Sequence, residues 1–479
     1  MMLARIHLGQ VNTVNAAVLS RRNDWWSTGE SSIDSVYKIK RNEFKKITDA
    51  LDSRRIQIIV GPRRVGKSTL MQQSIGHLLR NETDAKRILF FSCDDPTLFD
   101  GNTSIGDVIE GYLIDILHEA VYELTARIYV FIDEIHMFGG WQLWLKNYYE
   151  PGYNIKFVVS GSSASHLFDG AKESLLGRTD TLRLMPLNFM QFCRFCSAYR
   201  NNDKITKFLD FIPGSSLYVN PVAYYDALKQ NEWRWDGFKP YVSAILQEFL
   251  LIGGYPEYFL GSNVLLWQKR LVEDIIGQGL YRDIVSIYKI KAPDKLEKLL
   301  YFIADNNGQD FNMKTIADTI GCDNETVSVY LTYLTQAYLA VVLSNYAPNA
   351  GKTLRKNKTL YVLDNGIANA MLRLPEITDT QTGHIVEAIC VRDALSACED
   401  NLWALHYWRS KNVEVDLVID KKISVLPIEV KYRANPKQTS LSKFQQEFPN
   451  AKIPISVVIT KDRLAKEQDT LYIPFWLTQ

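Results

Sequence analysis

The chain has 479 residues, of which 23% are charged, 46% hydrophobic and 12% aromatic, which excludes intrinsic disorder and predicts about three domains at roughly 150 residues each. Lys plus Arg number 55 against 54 Asp plus Glu, a formal net charge of +1, so no whole-protein field directs the chain to nucleic acid or membrane and any basic surface must be local. Six scattered cysteines exclude a disulfide framework, no apolar run is long enough to span a bilayer, and MMLARIHLGQVNT lacks the parts of a secretory leader. A cytoplasmic protein with no membrane partner is expected.

Residues 1–35 show weak periodicity and many polar residues and read as an adaptable N-terminal extension. From residue 36 helices and strands alternate: an amphipathic KRNEFKKITDALDS, the strand IQIIV, a helix opening at Ser68, and the strand RILFFS. A helix with apolar residues at Ile105, Val108, Ile109, Tyr112, Leu113, Ile116, Leu117 and Val121 then leads into IYVFI, and IKFVVS follows. Continuous apolar strands separated by helices predict a parallel sheet covered on both faces over residues 36–185. Helical stretches dominate 186–290, read as a lid. Within them Cys193 and Cys196 form a CxxC with no second pair, on the amphipathic segment LNFMQFCRFCSAYR, so ordinary packing rather than metal is expected. Over 291–374 the order helix, short helix, longer helix and two strands predicts a winged helix-turn-helix. PEITDTQTG reads as a linker, and 375–479 returns to mixed α/β.

Gly61-Pro62-Arg63-Arg64-Val65-Gly66-Lys67-Ser68, followed by Thr69, matches G-x4-G-K-[ST] directly after a strand and at the start of a helix. Such a loop turns successive backbone N–H groups toward phosphate. Lys67 can reach the β and γ phosphates, and the Ser68 hydroxyl can ligate Mg²⁺. The strand Ile128–Ile132 delivers Asp133 and Glu134, a Walker B pattern in which Asp133 holds Mg²⁺ and Glu134 orients or deprotonates the attacking water. Ser160 ends the next strand as a candidate γ-phosphate sensor, with Ser162 and Ser163 competing for that role. Arg178 is a candidate arginine finger for a neighbouring subunit's ATP, the alternative being a structural arginine.

GPRRVGKST, FIDEIH, VVSGSSA, LLGR, LMPLNF, LIGGYPEYF, LYVLDNGIANAML, EVDLVI and LPIEVK together resemble the prokaryotic AAA+ ATPases that carry a C-terminal domain of unknown function. The resemblance covers nearly the whole chain from residue 36. It implies an α/β P-loop AAA+ core, a helical lid, a winged helix, a tail similar to PD-(D/E)xK nucleases, and assembly into a homo-oligomeric ring. Gly253-Gly254-Tyr255-Pro256-Glu257 has no assigned chemistry and reads equally as a turn joining lid helices.

In the tail, Asp416 lies on one strand, Glu429 and Lys431 share a face of the next, and Glu387 lies on the preceding helix, in the order of the PD-(D/E)xK core. Carboxylates of Glu387, Asp416 and Glu429 can hold Mg²⁺, and Lys431 can position water and offset developing charge at phosphorus. The candidate recognition helix begins near Asp323 and carries Glu325, which argues against base-specific reading. The predicted wing supplies Lys352, Arg355, Lys356 and Lys358 as a phosphate-contacting stripe, with Arg433 and Lys437 extending it; the alternative is a solvated loop. The expected activity is ATP hydrolysis with ATP and Mg²⁺ as cofactors and DNA as partner. The alternative is a nucleotide-dependent switch or scaffold whose tail binds without cleaving.

Overall fold

The computed structural model describes residues 16–31, 37, 39–99, 101–161, 175–261, 263–285, 288–347, 358–411, 413–433 and 439–478. Two compact units divide the chain, Met1–Leu184 and Met185–Gln479.

The first unit is built on β1 (Ile56–Val60), β2 (Ile88–Ser92), β3 (Ile128–Asp133), β4 (Ile155–Gly161) and β5 (Thr179–Arg183), a five-stranded sheet of order β2-β3-β4-β1-β5. All four pairings are parallel. IQIIV, IYVFID and IKFVVSG are buried at almost every position, as a sheet covered on both faces requires. The order brings the carboxyl ends of β3, β4 and β1 side by side, the place where open α/β sheets bind ligands.

The predicted N-terminal extension contains two short helices, α1 (Ala16–Arg22) and α2 (Trp25–Thr28). Asn23 between them and the first two residues of α2 complete the edge strand β2. Asn23, fully buried, accepts from Phe90 N at 2.7 Å and donates to Phe90 O at 2.9 Å. The Trp25 and Trp26 indoles both donate to Ile88 O, at 3.1 and 2.8 Å. Side chains therefore satisfy edge groups that another strand would otherwise pair. Among the described residues the other α-helices of the unit are α3 (Glu43–Ala50), α4 (Lys67–Arg80), α5 (Ile105–Tyr112) and α6 (Trp141–Tyr149). The helix predicted to run past Val121 is shorter: α5 gives way to a wide π turn over Leu113–Leu117, ended by His118 at φ 56°. Ile116, Leu117 and Val121 are only half-buried there, so their helical spacing has no core to face.

The second unit begins with α7 (Phe189–Arg200), α8 (Asp203–Leu209), α9 (Pro221–Gln230), α10 (Glu232–Ile252) and α11 (Val264–Val272). Cys193 and Cys196 are buried on α7, and burial raises both thiols far from ionisation. Next come α12 (Pro293–Asp305), β6 (Asp310–Phe311), α13 (Met313–Ile320), α14 (Asn324–Gln336), β7 (Ala340–Asn345), β8 (Lys358–Val362) and α15 (Asn365–Met371). The tail contributes α16 (Asp379–Asn401), β9 (Ala404–Ser410), β10 (Val413–Asp420), β11 (Val425–Lys431), α17 (Thr439–Glu447), β12 (Ser456–Thr460), β13 (Ala465–Glu467) and β14 (Thr470–Pro474). One sheet of nine strands, β13-β14-β12-β11-β10-β9-β7-β8-β6, runs through both sets. Its seam is the parallel pairing of Ser344 with His406 and Asn345 with Tyr407. Part of the expected linker is helical instead, because Thr378 and Gln381 form a capping box that starts α16 at Asp379.

The GGYP and LDNG motifs interlock. A Cβ on Gly366 would stand 2.2 Å from Ile252 O, and one on Gly253 2.1 Å from Asp364 Oδ1, so only glycine permits this approach. Asp364 accepts from Gly254 N and Gly366 N, both at 2.9 Å, and from Arg392 Nη1 of α16 at 3.2 Å. Asp364 and Arg392 are 0% and 1% exposed. The motif is thus a buried joint between α10, α15 and α16.

Candidate functional site

At the carboxyl end of β1 the loop Gly61–Gly66 leads into α4, and Gly66, at φ 100°, caps that helix and turns the chain into it. Lys67 is 5% exposed, and its Nζ donates to Gly61 O at 3.0 Å and Pro62 O at 2.9 Å. The ammonium is folded across the loop, while Ser68 is exposed at the helix start beside half-buried Thr69. Pro62 and Val65 are buried, Arg63 is half-buried and Arg64 exposed at φ 62°. Arg41, buried, clamps the apex by donating to Val65 O at 3.0 Å. Nothing in its local sequence marks it.

Asp133 ends β3, 6% exposed, and the Ser160 hydroxyl of β4 donates to its Oδ1. Glu134 N donates to Asp133 Oδ1 at 3.1 Å and to Ser160 Oγ at 3.3 Å. Ser160 is fully buried and binds the Walker B carboxylate itself. Glu134, at φ 47°, has its Oε2 3.2 Å from Nδ1 of buried His136, so the second carboxylate is restrained as well. Cys93 lies close enough that, after burial, the charges of Asp133, Asp94 and Glu134 also push its thiol up. The Ser162 and Ser163 alternatives lie outside the described residues. Arg178 sits at the other end of the sheet, where its carbonyl accepts from Ile56 N at 2.9 Å and its guanidinium meets Glu150 at 3.0 Å. Within this chain it does not join the P-loop.

In the second unit α16 packs across β9, β10 and β11 and brings Glu387 to the acidic residues of the strands. Asp416 is 6% and Glu429 1% exposed. Val430 N donates to Asp416 Oδ2 at 2.6 Å, and Lys431 Nζ lies 3.1 Å from Glu429 Oε1. Glu429 Oε2 is buried with no donor among the described residues. Burial, opposed by Lys431 and the Val430 N–H, pushes the Asp416 carboxyl up to about 7. Burial and then the Asp416 charge raise Glu387 well above the usual range, opposed by a hydrogen bond from Tyr361. Burial works against the Lys431 ammonium, but Asp416 and Glu429 outweigh it and hold it above its ordinary value. Tyr361 OH donates to Glu387 Oε1 at 2.8 Å; the sequence reading did not find this residue. At the rim Arg409 joins Asp310 at 2.6 Å to Glu414, with its Nε 2.8 Å from that carboxylate.

The donor chemistry fits a divalent cation: three carboxylates against one ammonium, with one buried oxygen unsatisfied. No three His, Cys, Asp or Glu side chains among the described residues are spaced as a ready-made metal cage. Of the predicted wing residues, Lys352, Arg355, Lys356 and also Lys437 lie outside the described residues. Lys358 starts β8 and lines an open groove of about 220 Å³ with Ser328, Thr332, Thr335 and Gln336 of α14.

A parallel sheet whose carboxyl ends join a P-loop to paired acidic residues defines a nucleotide-binding P-loop ATPase module. Residues 53–193 match the family model described as an AAA domain, in keeping with that module. Residues 243–378 match the domain of unknown function DUF8612, and residues 382–477 match DUF4143. An uncharacterized protein of Methanocaldococcus jannaschii is 24% identical over 83% of this chain and 80% of its own length. An uncharacterized protein of Haemophilus influenzae is 24% identical over 68% of this chain and 72% of its own. Among solved structures, the Walker-type ATPase of Pyrococcus abyssi aligns with 72% of this chain and 99% of its own, at 14% identity and a TM-score of 0.41. Among the described residues no helix is long and apolar enough to cross a membrane.

Proposed function

We propose that this chain is a Mg²⁺-dependent AAA+ ATPase that acts on DNA, with its nucleotide state gating a winged-helix and nuclease-like arm. For the DNA-directed chemistry, the observation that carries the reading is the buried acid–lysine cluster. A purely structural sheet gains nothing from two buried carboxylates beside a third that is half-buried, one of them with an oxygen left without a donor, because each buried charge without a partner costs several kcal/mol.

In this reading the backbone N–H groups of the Gly61–Ser68 loop, Pro62 excepted, and the Lys67 ammonium hold the phosphates, and Ser68 and Asp133 would hold Mg²⁺. Glu134, restrained through His136, orients water, and Ser160 fixes Asp133 instead of touching phosphate directly. Arg178 acts on a neighbouring copy in a ring. In the tail Glu387, Asp416 and Glu429 would hold Mg²⁺, which when bound supplies positive charge at phosphorus, while Lys431 orients water. Lys358, with Lys352, Arg355 and Lys356, meets the phosphate backbone. The protein works in the cytoplasm.

The test is cleavage of supercoiled, linear and branched DNA by the purified chain with Mg²⁺ or Mn²⁺, with and without ATP, beside an Asp416→Ala/Lys431→Ala control. Cutting that the control loses, and that ATP alters, is the expected result. Intact ATP turnover with no cutting on any substrate would replace the nuclease reading with that of a nucleotide-dependent switch whose tail binds without cleaving.

A further inference from the structure

We propose that Tyr361 is a positioning residue for the acid–lysine cluster, so that the tail's metal site is composite and incomplete without the β8 strand that precedes the tail. The inference rests on the reading of Glu387, Asp416 and Glu429 as a divalent-cation site.

Three observations support it. Tyr361 is 2% exposed and spends its only hydroxyl proton on Glu387 Oε1, at 2.8 Å. That carboxylate belongs to α16, outside the strand pair that carries Tyr361, so the contact spans two parts of the nine-stranded unit. The hydroxyl's place is also fixed from beside it. Gly308 N donates to Leu360 O at 2.9 Å, and the Asn307 side chain accepts from Val362 N at 3.1 Å, which clips this turn to both neighbours of Tyr361. At Gly308, φ is +82°, and a Cβ there would stand 3.2 Å from both Glu387 Oε1 and the Tyr361 ring. The backbone is laid against the hydroxyl–carboxylate contact so closely that only glycine leaves the pair undisturbed.

The chemical consequence concerns the rotamer of Glu387. A carboxylate has two oxygens, and a donor that binds one fixes the plane and direction of the other. In metal sites, donors of this kind to a ligand's far atom change affinity by about 10–100-fold when removed. Tyr361 therefore presents Glu387 to the cation. An ordinary core tyrosine would place its ring in the same space without needing this oxygen.

The test titrates the full chain with Mn²⁺ alone, without nucleotide, following free Mn²⁺ by electron paramagnetic resonance. Asp416→Asn is expected to lose Mn²⁺ binding. Tyr361→Phe, which keeps the ring, is expected to weaken binding about 10–100-fold. Glu387→Gln should weaken it too, and adding Tyr361→Phe to Glu387→Gln should cost nothing further, because the hydroxyl acts only through that carboxylate. Unchanged or tighter binding in Tyr361→Phe, while Asp416→Asn loses it, overturns the role of Tyr361 and leaves the metal site standing. Additive losses in the double variant mean general loosening and overturn it as well. Binding that survives Asp416→Asn overturns the metal site itself and the proposal with it.

Discussion

The P-loop and the acid–lysine cluster meet opposite electrostatic demands with different materials. In the first, one short contiguous loop supplies the backbone, and its lysine donates to the carbonyls of Gly61 and Pro62. In the second, side chains from α16, β10 and β11 converge and set three carboxyl groups around one ammonium. The first suits an anion and, on the function proposed above, the second a cation. Backbone donors keep their charge whatever the surroundings, whereas clustered carboxylates repel one another and must be held by neighbours. That difference explains why the second site draws on Tyr361 and Gly308 from far along the chain.

Four substitutions test this contrast. Lys67→Ala should lower ATP turnover by about a thousandfold or more, measured by phosphate release, because it removes the charge that meets the transferred phosphoryl group. The same variant should bind Mn²⁺ without nucleotide as the wild type does; a loss there would mean that the two sites are not separate. Arg392→Met should destabilise the second unit by about 3–5 kcal/mol in urea unfolding, since Asp364 is left buried without its cation. Nucleotide binding by the first unit should persist, and joint loss of both would show that the two units unfold together. Asn23→Ala reverses the pattern. It strips two hydrogen bonds from edge strand β2 and should cost the first unit about 1–3 kcal/mol, seen as faster amide exchange at Phe90.

The fourth substitution concerns a pH slope. Burial holds the Lys156 ammonium at about 8 against an ordinary 10.5. Between these values the unfolded chain binds more protons than the folded one, so the stability of the first unit should rise with pH from about 8 upward, while below about 8 the cost of burying the charged ammonium is constant and gives no slope. Lys156→Met should remove that rise in urea midpoints taken from pH 7.5 to 10. A slope that survives the substitution assigns it to other groups.

The parallel sheet and the residues of the P-loop and Walker B strand were legible because each is encoded in one contiguous stretch, with the strand, the turn and the reactive side chains adjacent. The residues that steady these elements were not. Arg41 reaches Val65 from 24 positions away, and Tyr361 reaches Glu387 from 26, distances at which spacing carries no signal. The N-terminal arm read as featureless because Asn23, Trp25 and Trp26 act through polar side-chain atoms rather than through a periodic apolar face. Gly253 and Gly254 suggested a turn, yet the steric reason for the first of them is Asp364, more than a hundred residues on. The shortening of α5 was hidden because Ile116, Leu117 and Val121 keep helical spacing past the point where the core ends.

The continuous nine-stranded sheet has a consequence for how the chain is made. The seam between β7 and β9 forms only after residue 407 has been synthesised, and until then the Ser344–Asn345 end of β7, finished some sixty residues earlier, presents an unpaired edge. Ending the chain between the two matched domains of unknown function, near residue 380, would leave that edge open permanently. Such a fragment is expected to self-associate, and the junction between residues 345 and 404 is then a poor place for recombination to exchange one tail for another.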